Sequence, residues 1–219
     1  MALRQRARND EDKRARRASI LTEAGRLLGE HAYGRITMAQ VAQACGLAKG
    51  TLYLYFRSKE ELFLGLLERE LLEWFAALRD QLGAVPGVTA EALGWEFATS
   101  LEQRELLSNL LVILHTILEH NLDADTALAF KTTLRDQLHE AGDALETVWP
   151  ALPRGSGPRV LLRMYALLIG LRQVAFPSPR ISEILAREDM ESMRVDFTRD
   201  LAESLRDLLS GAAQQAAAR

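Results

Sequence analysis

The side chains in this chain with the clearest chemistry are hydroxyl and ammonium donors that lie in one short stretch. They are Thr37, Lys49, Gly50, Thr51, Tyr53, Tyr55 and Lys59, with the glycine included for its bare backbone. Hydroxyls hydrogen-bond phosphate and sugar oxygens, and lysine ammonium groups act on phosphates as point charges. A glycine lets the backbone approach a phosphate closely. These residue types together predict contacts with a nucleic acid.

The segment that carries these residues predicts two short helices joined by a glycine turn. Thr37 with Gln40 three positions later is the pattern of a capping box at the start of the first helix. Gly46 ends that helix, because glycine accepts the left-handed backbone of a tight turn. The second helix is expected from about Ala48 to Tyr55. Two helices joined in this way form a helix-turn-helix, whose second helix enters the major groove of DNA.

The run KGTLYLYFRSKEELF, preceded by ITMAQVAQACGLA, closely resembles the signature of the TetR (tetracycline-repressor) family, with its AcrR-like members. The resemblance covers roughly residues 19–63. It implies an all-α homodimer with an N-terminal DNA-binding domain of three helices and a larger C-terminal domain that binds a small ligand. Ala48 stands where many members carry serine, so the recognition helix lacks a side-chain cap worth about 1 kcal/mol.

We predict two domains and about nine helices. Residues 1–62 form the helix-turn-helix domain, with a basic arm over 1–18, and residues 63–219 form a helical effector-binding and dimerisation domain. The first dozen residues are expected to be disordered, with helix one starting near Asp10–Asp12. A helix from Ser58 to about Leu82 would belong to both domains and act as a lever between them. One buried helix is expected over Leu101–Asn121 and another over Asp123–Trp149.

Charge is divided unevenly along the chain. Residues 1–60 carry a net charge of +6, and the remaining 159 residues carry −9. A basic head on an acidic body fits a protein that places one end on a polyanion. Within the arm, Arg14 and Arg17 belong either to a solvated charged helix start or to a segment that follows the DNA backbone or minor groove.

Several classes of protein are not supported by the sequence. Cys45 is the single cysteine, so an internal disulfide is impossible, which fits a reducing cytosol. The stretches Leu106–Leu118 and Leu161–Leu171 are too short to span a bilayer, and no apolar signal segment opens the chain. We therefore expect a cytoplasmic protein. No nucleophile motif, phosphate-binding glycine loop or metal-ligand set stands out, so no catalytic residue, metal or cofactor is predicted.

The end of the chain predicts two long helices, Arg159–Phe176 and about Glu188–Leu209. Apolar residues recur at steps of three and four along the second of them: Met190, Met193, Phe197, Leu201, Leu205 and Leu208. This stripe can pack inside the monomer or against a second copy. The resemblance implies that these two helices form the homodimer interface. Two recognition helices would then read a palindromic operator on double-stranded DNA.

Polar or aromatic residues on the apolar helices of the C-terminal domain either line a ligand pocket or belong to the core. The candidates are Trp74, Trp95, Phe97, Asn109, His115, Phe130 and Tyr165, together with Arg163 and Arg172. A pocket rich in leucine, phenylalanine and tryptophan would suit an apolar or amphipathic small molecule of unknown identity.

The sequence thus favours a repressor that a small molecule releases from its operator. A regulator or activator without such a ligand, controlled by a protein partner, stays open, and a filled C-terminal core would favour it. An enzyme or carrier with an appended helix-turn-helix also stays open. Turnover that survives mutation of Lys49 and Tyr53 would favour that alternative.

Overall fold

The computed structural model describes residues 2–83 and 88–217. Their regular structure is helical throughout and contains no strand, which confirms the all-α prediction. The α-helices are α1 (Ala2–Glu30), α2 (Met38–Ala44), α3 (Lys49–Tyr53), α4 (Lys59–Gly83), α5 (Ala90–Glu102), α6 (Glu105–Ile113), α7 (Ala124–Val148), α8 (Gly157–Ala175), α9 (Pro179–Leu185) and α10 (Phe197–Ala217). Short 3-10 or π turns lie at Tyr33–Arg35, Leu114–Leu118, Glu119–Asn121 and Glu188–Met193.

The chain divides into two compact units. The first runs as far as Glu70 and also takes in Ile113–Phe130, and the second holds Leu71–Val112 and the chain from Lys131 onward. Helix α4 contributes residues to both units. The predicted domain division at residues 62 and 63 stays a prediction.

Helices α1 to α4 form the core of the first unit. Ile20 and Ala24 of α1 are fully buried. Val41 of α2 and Leu52 of α3 are also fully buried, and Phe56 is 1% exposed. Burial of large apolar side chains from each helix fixes the helices against one another.

Helix α1 begins earlier than the sequence predicted. The predicted start near Asp10–Asp12 is wrong, since the helix starts at Ala2. The segment contains no proline, and alanine, arginine and leucine favour helix strongly. Arg14 is exposed on this helix.

The predicted helix Leu101–Asn121 is wrong, because the chain breaks twice there. Helix α5 ends at Glu102, and the Ser108 hydroxyl donates to the backbone oxygen of Leu101 at 3.1 Å. The same carbonyl also accepts from the backbone N–H of Arg104 at 3.1 Å, and the two bonds close the end of the helix. After α6 the chain widens into a π turn at Leu114–Leu118. Apolar composition alone did not indicate either break.

The final helix also begins later in the chain than predicted. Glu188–Met193 is a 3-10 turn, and Met193 is 63% exposed. Arg194 breaks the helix: its guanidinium donates to the carbonyls of Leu185, Ala186 and Arg187, and its backbone is extended. A new helix then starts at Phe197 and continues to Ala217, past the fraying expected after Gly211.

Apolar surface is present on α7 and on the bent pair of helices that follows it. Leu128 of α7 is 67% exposed. Among the described residues no single helix is long and apolar enough to cross a membrane. One sharply bent pair of helices, Gly157–Ala175 with Pro179–Leu185, is long and apolar enough when the two are taken together, by length and composition only.

Candidate nucleic-acid interface

The capping box predicted at the start of α2 is present. The Thr37 hydroxyl accepts from the backbone N–H of Gln40 at 3.3 Å, and the Thr37 N–H donates to Gln40 Oε1 at 2.8 Å. Reciprocal bonds of this kind satisfy amide groups that a helix start leaves free. Thr37 itself remains exposed.

The turn between α2 and α3 depends on Gly46. Its φ angle is +64°, in the left-handed region that favours glycine. The backbone N–H of Leu47 donates to Ala42 O at 2.8 Å and closes the end of α2. Helix α3 then begins without a side-chain cap at Ala48, as the alanine there predicted.

Helix α3 has one buried face and one exposed face. Leu52 is fully buried and anchors the helix, whereas Tyr53 is 42% exposed. Lys49 and Gly50 are exposed, and Thr51 is half-buried. Lys49 Nζ lies 5.9 Å from the centroid of the Tyr53 ring. The helix therefore presents an ammonium group, a phenol and bare backbone on the same side of the unit.

The glycine on this face stands in open space. A Cβ added at Gly50 would meet no atom within 4 Å, so packing inside the protein does not require glycine there. An approaching phosphate could instead use that space.

Leu54, which was not among the predicted DNA contacts, is 79% exposed at the end of α3. Its signal was its position two residues after the buried Leu52, which turns it to the opposite side of the helix. An exposed leucine beside a recognition helix suits contact with a thymine methyl group.

Tyr55 lies at the edge of the exposed face. It is half-buried and lines a groove of about 820 Å³ together with residues of α1. The α1 residues are Asp10, Asp12, Lys13, Ala15, Arg16 and Ser19. Because the groove mixes two carboxylates with two cations, it is not a simple basic patch.

Arg17 contacts protein groups. Its guanidinium carbon lies 5.0 Å from the centroid of the Phe56 ring. A Cβ added at Gly65 of α4 would lie 2.8 Å from Arg17 Nη2. Arg17 therefore braces α1 against Phe56 and α4.

Lys59, also predicted to contact phosphate, is half-buried at the first residue of α4. Its Nζ donates to Tyr33 O at 3.0 Å and to Ile36 O at 3.1 Å. The neighbouring Tyr33 hydroxyl donates to Glu60 Oε1 at 3.0 Å. Burial, followed by the adjacent Glu60 carboxylate, raises the pKa of Tyr33.

The seven predicted ligand residues lie in two different units. His115 and Phe130 belong to the first unit, and the other five belong to the second. His115 Nδ1 lies 2.8 Å from Glu119 Oε2, one helical turn further along the chain. Phe130 is 4% exposed.

The five in the second unit include both core and surface residues. Trp74 is buried, and its indole N–H donates to Ser100 Oγ at 3.1 Å. Phe97 is 1% exposed and packs edge-on against Trp74, whereas Trp95 is 43% exposed. The Tyr165 hydroxyl lies 3.5 Å from Leu111 O. Trp74 and Phe97 thus have ordinary core partners.

The fifth residue, Asn109, does not line a cavity but bonds to Arg172, which lines one of about 360 Å³. Arg172 donates to Asn109 Oδ1 at 2.9 Å and stacks 4.5 Å from the ring centroid of Phe176. Burial lowers the pKa of Arg172, and Glu105 opposes that shift. The cavity is lined by Glu102, Glu105, Arg172, Ala175, Phe176, Val195, Asp196, Phe197 and Thr198. Within the described ranges, no group of three or more His, Cys, Asp or Glu side chains is placed to hold a metal ion.

Two family models match the chain in succession. The model for bacterial regulatory proteins of the tetR family matches residues 20–66, and that for the tetracyclin repressor-like C-terminal domain matches residues 68–216. The HTH-type transcriptional repressor Rv1474c of Mycobacterium tuberculosis is 36% identical over 101 residues, which cover 43% of this chain and 52% of that protein. The chain thus spans about half the length of that curated relative.

Solved structures share the fold. A TetR transcriptional regulator from Rhodococcus sp. RHA1 is 21% identical with a TM-score of 0.58, covering 91% of this chain and 97% of that one. FadR from Bacillus subtilis in complex with stearoyl-CoA is 17% identical with a TM-score of 0.51, covering 89% and 98%. With the helix-turn-helix and the helical region after it both matched, the chain belongs to the TetR family of transcriptional regulators.

Proposed function

We propose that this chain is a cytoplasmic homodimeric repressor whose α3 helices bind a palindromic operator and whose ligand is a small apolar or amphipathic molecule. One observation carries the DNA part: Lys49, Gly50 and Tyr53 form an exposed face on a short helix that Leu52 anchors in the core. A rigid helix with exposed donors is what reading a major groove requires.

The proposed DNA contacts differ in their chemistry. Lys49 offers a charge to a phosphate, and Tyr53 offers a hydroxyl and a ring to the backbone or a thymine methyl. Gly50 allows close approach of the backbone. Thr37, Thr51, Tyr55 and Lys59 complete the proposed contact surface. Phosphate contacts of this kind make binding strongly dependent on salt.

A homodimer through α8 and α10 is supported by the exposed side of α8. Leu162 and Val174 are 53% and 54% exposed on that helix. The apolar stripe of α10 is not available for contact with a second copy, because Phe197, Leu201 and Leu205 are at most 6% exposed within the chain. We therefore assign the apolar part of the proposed interface to α8.

The ligand proposal concerns residues 63–219. FadR, which is similar in fold, is in complex with stearoyl-CoA, an amphipathic molecule. The predicted lining residues stay a proposal, and Trp95 is the most accessible aromatic among them. A coupling of about 1–3 kcal/mol between ligand and DNA would give a useful response. Helix α4, which contributes to both units, is the proposed connection.

The alternative of a regulator controlled by a protein partner uses the same DNA surface. Measuring operator affinity with and without stearoyl-CoA distinguishes this alternative from the ligand-released repressor. A loss of affinity on adding stearoyl-CoA supports an amphipathic effector of that class. Unchanged affinity would remove this ligand class from the proposal.

Selection of bound sequences from random DNA, followed by footprinting, tests the whole proposal. We expect a palindrome with two protected half-sites about one helical turn apart. Failure to enrich any sequence above non-specific binding would contradict the DNA part of the proposal.

A further inference from the structure

Arg172 is a buried cation near the end of α8, and it is 7% exposed. Its Nε and Nη2 both donate to Asn109 Oδ1, at 3.3 and 2.9 Å. Glu105 Oε1 lies 3.8 Å from Nη2, which is too far for a hydrogen bond, and the Glu105 side chain is 80% exposed. Among the described residues, no group accepts a hydrogen bond from Nη1. A buried charge without a hydrogen-bonded counter-ion is costly, so this arginine has unused capacity for an anion.

Two aromatic rings hold the guanidinium of Arg172 in place. Its Cζ lies 4.5 Å from the ring centroid of Phe176 and 5.5 Å from that of Phe197. The centroids of the two rings are 5.8 Å apart. Cation–π contacts favour the charged form and use the face of the guanidinium, so they leave its in-plane N–H groups free to donate. The group is therefore fixed as a cation, with one edge against Asn109 and Nη1 available to an acceptor.

Helix α10 begins at the cavity that this arginine lines, with Phe197 and Thr198 in its wall. The backbone N–H of Asp196 donates to Asp200 Oδ2 at 2.8 Å, and that of Arg199 donates to Asp196 Oδ1 at 3.1 Å. The backbone N–H groups of Phe197 and Thr198, which lie between them, have no acceptor in the part of the chain that the structure describes. Free N–H groups at the start of a helix attract anions, and the helix dipole adds to that attraction.

Three carboxylates also border the cavity, and they limit which anion it can hold. Glu102 and Glu105 are exposed, so water and salt screen their charges. The third, Asp196, is bonded at the start of α10. These carboxylates repel a dianion such as a phosphate monoester more strongly than a monoanion. The rest of the lining is mostly apolar and consists of Ala175, Phe176, Val195 and Phe197.

We propose that this cavity binds a small monocarboxylate with an apolar body, whose carboxylate is held by Arg172 Nη1 and the backbone N–H groups of Phe197 and Thr198. The apolar body lies against the Phe176 ring. The volume of about 360 Å³ suits a small molecule. A free acid is favoured over its coenzyme A thioester, which carries phosphate groups and no free carboxylate. The inference names the chemical class of the ligand in the proposed function, and only its DNA readout rests on that function.

Titration with octanoate, followed by nitrogen-15 NMR of the arginine Nε–Hε groups, tests the site without DNA. Octanoate should shift the resonance of Arg172, which is identified by its loss in Arg172→Met. The uncharged octanamide should bind at least about tenfold more weakly, the loss expected for a hydrogen bond to a charged group. Octanoate that leaves this resonance unshifted at millimolar concentration would overturn the proposal. Tighter binding of octylamine or of octyl phosphate would overturn it too, because the site would then select a cation or a dianion.

Asn109→Asp supplies the missing counter-ion from inside the protein. The new carboxylate has nearly the shape of the amide, whose oxygen already lies 2.9 Å from Arg172 Nη2. The variant should fold, unfold at a higher temperature than the wild type and bind octanoate at least about tenfold more weakly, because Arg172 is then neutralised. Octanoate affinity equal to that of the wild type in Asn109→Asp would contradict the proposed site.

Two further variants separate Arg172 from the other charges of α8 and the cavity. Arg172→Met should abolish octanoate binding, and Arg163→Met, at an exposed arginine of the same helix, is the matched control that should leave it unchanged. Glu105→Gln removes a carboxylate that repels the ligand and should strengthen octanoate binding at low salt. Weaker binding in Glu105→Gln would contradict the proposal, and this variant with Asn109→Asp decides the matter if Arg172→Met does not fold.

Operator binding tests whether the acid acts as the effector. Octanoate should lower the operator affinity of the wild type and leave that of Asn109→Asp unchanged. Octanoate bound at Arg172 with no effect on operator affinity would contradict the link to the proposed function. If the wild-type protein selects no operator, the proposed function fails, and the octanoate titrations still decide whether the site exists.

Discussion

Gly94 of α5 lies directly against the backbone of Ala202 in α10. A Cβ added at Gly94 would lie 2.5 Å from Ala202 O and 3.1 Å from the N of Arg206. The obstacle is main chain, so it cannot move aside as a flexible side chain would. Glycine therefore sets how closely α5 and α10 pack in the second unit.

Replacing Gly94 with alanine should destabilise the protein. Overpacking costs about 1–3 kcal/mol, which offsets the gain of about 1 kcal/mol from removing a helical glycine. Urea unfolding measures the change. Gly211→Ala is the control, because its added Cβ would meet nothing within 4 Å, and it should not destabilise. Equal stability of the two variants would contradict the close packing.

Gly50→Ala should separate DNA binding from stability. Helix α3 gains propensity worth up to about 1 kcal/mol, and the added methyl meets no protein atom within 4 Å. If the backbone at Gly50 approaches a phosphate, the methyl will weaken operator binding. We expect a stable variant with reduced affinity in filter binding. Undiminished affinity would mean that no phosphate approaches this residue.

Tyr33 should make stability fall at alkaline pH. Its pKa is raised in the folded protein by burial and by Glu60, from an ordinary value of about 10. Above that pH the unfolded chain releases the proton while the folded chain keeps it, so the unfolded state is favoured. The stabilisation is full below about pH 10 and is lost as pH rises toward the folded pKa.

Absorbance of tyrosinate at 295 nm measures this titration directly. The chain has four tyrosines, and we expect one to remain protonated until the protein unfolds. Tyr33→Phe should remove that late step. A full titration near pH 10 without unfolding would contradict the burial of the Tyr33 hydroxyl.

Substitutions on the exposed side of α8 should disrupt the proposed dimer interface and give a monomer. Leu162→Glu with Val174→Glu places two carboxylates on the exposed side of α8, where a partner copy would bury them without partners. Analytical ultracentrifugation should show a dimer for the wild type and a folded monomer for the variant. Leu128→Glu, at a residue 67% exposed on α7, is the control and should remain dimeric.

Local signals in the sequence were enough to predict the helix-turn-helix. Thr37 with Gln40 and the glycine at Gly46 each specify their own backbone through neighbours in the chain. The breaks near Leu101 and Arg194 were missed, because the side-chain bonds that stabilise them reach seven and nine positions along the chain, and no helical or capping spacing indicates them.

The proposed DNA-binding site also combines features that neighbouring residues indicate with features that they do not. The exposed face of α3 follows from helical spacing around Leu52. The partners of Lys59 are main-chain carbonyls, which no residue type reveals, so the sequence could not indicate the bonds that this lysine makes inside the fold.

Binding of DNA by the exposed face of α3 is tested by Lys49→Ala combined with Tyr53→Ala. The measurement is a gel shift on the selected palindrome across a salt series, with circular dichroism to verify the fold. Both side chains project from the surface, so we expect the fold to remain intact. Specific binding should be lost, and the dependence of DNA affinity on salt should become shallower. Wild-type affinity and an unchanged salt slope in this double variant would mean that the exposed face of α3 does not bind DNA.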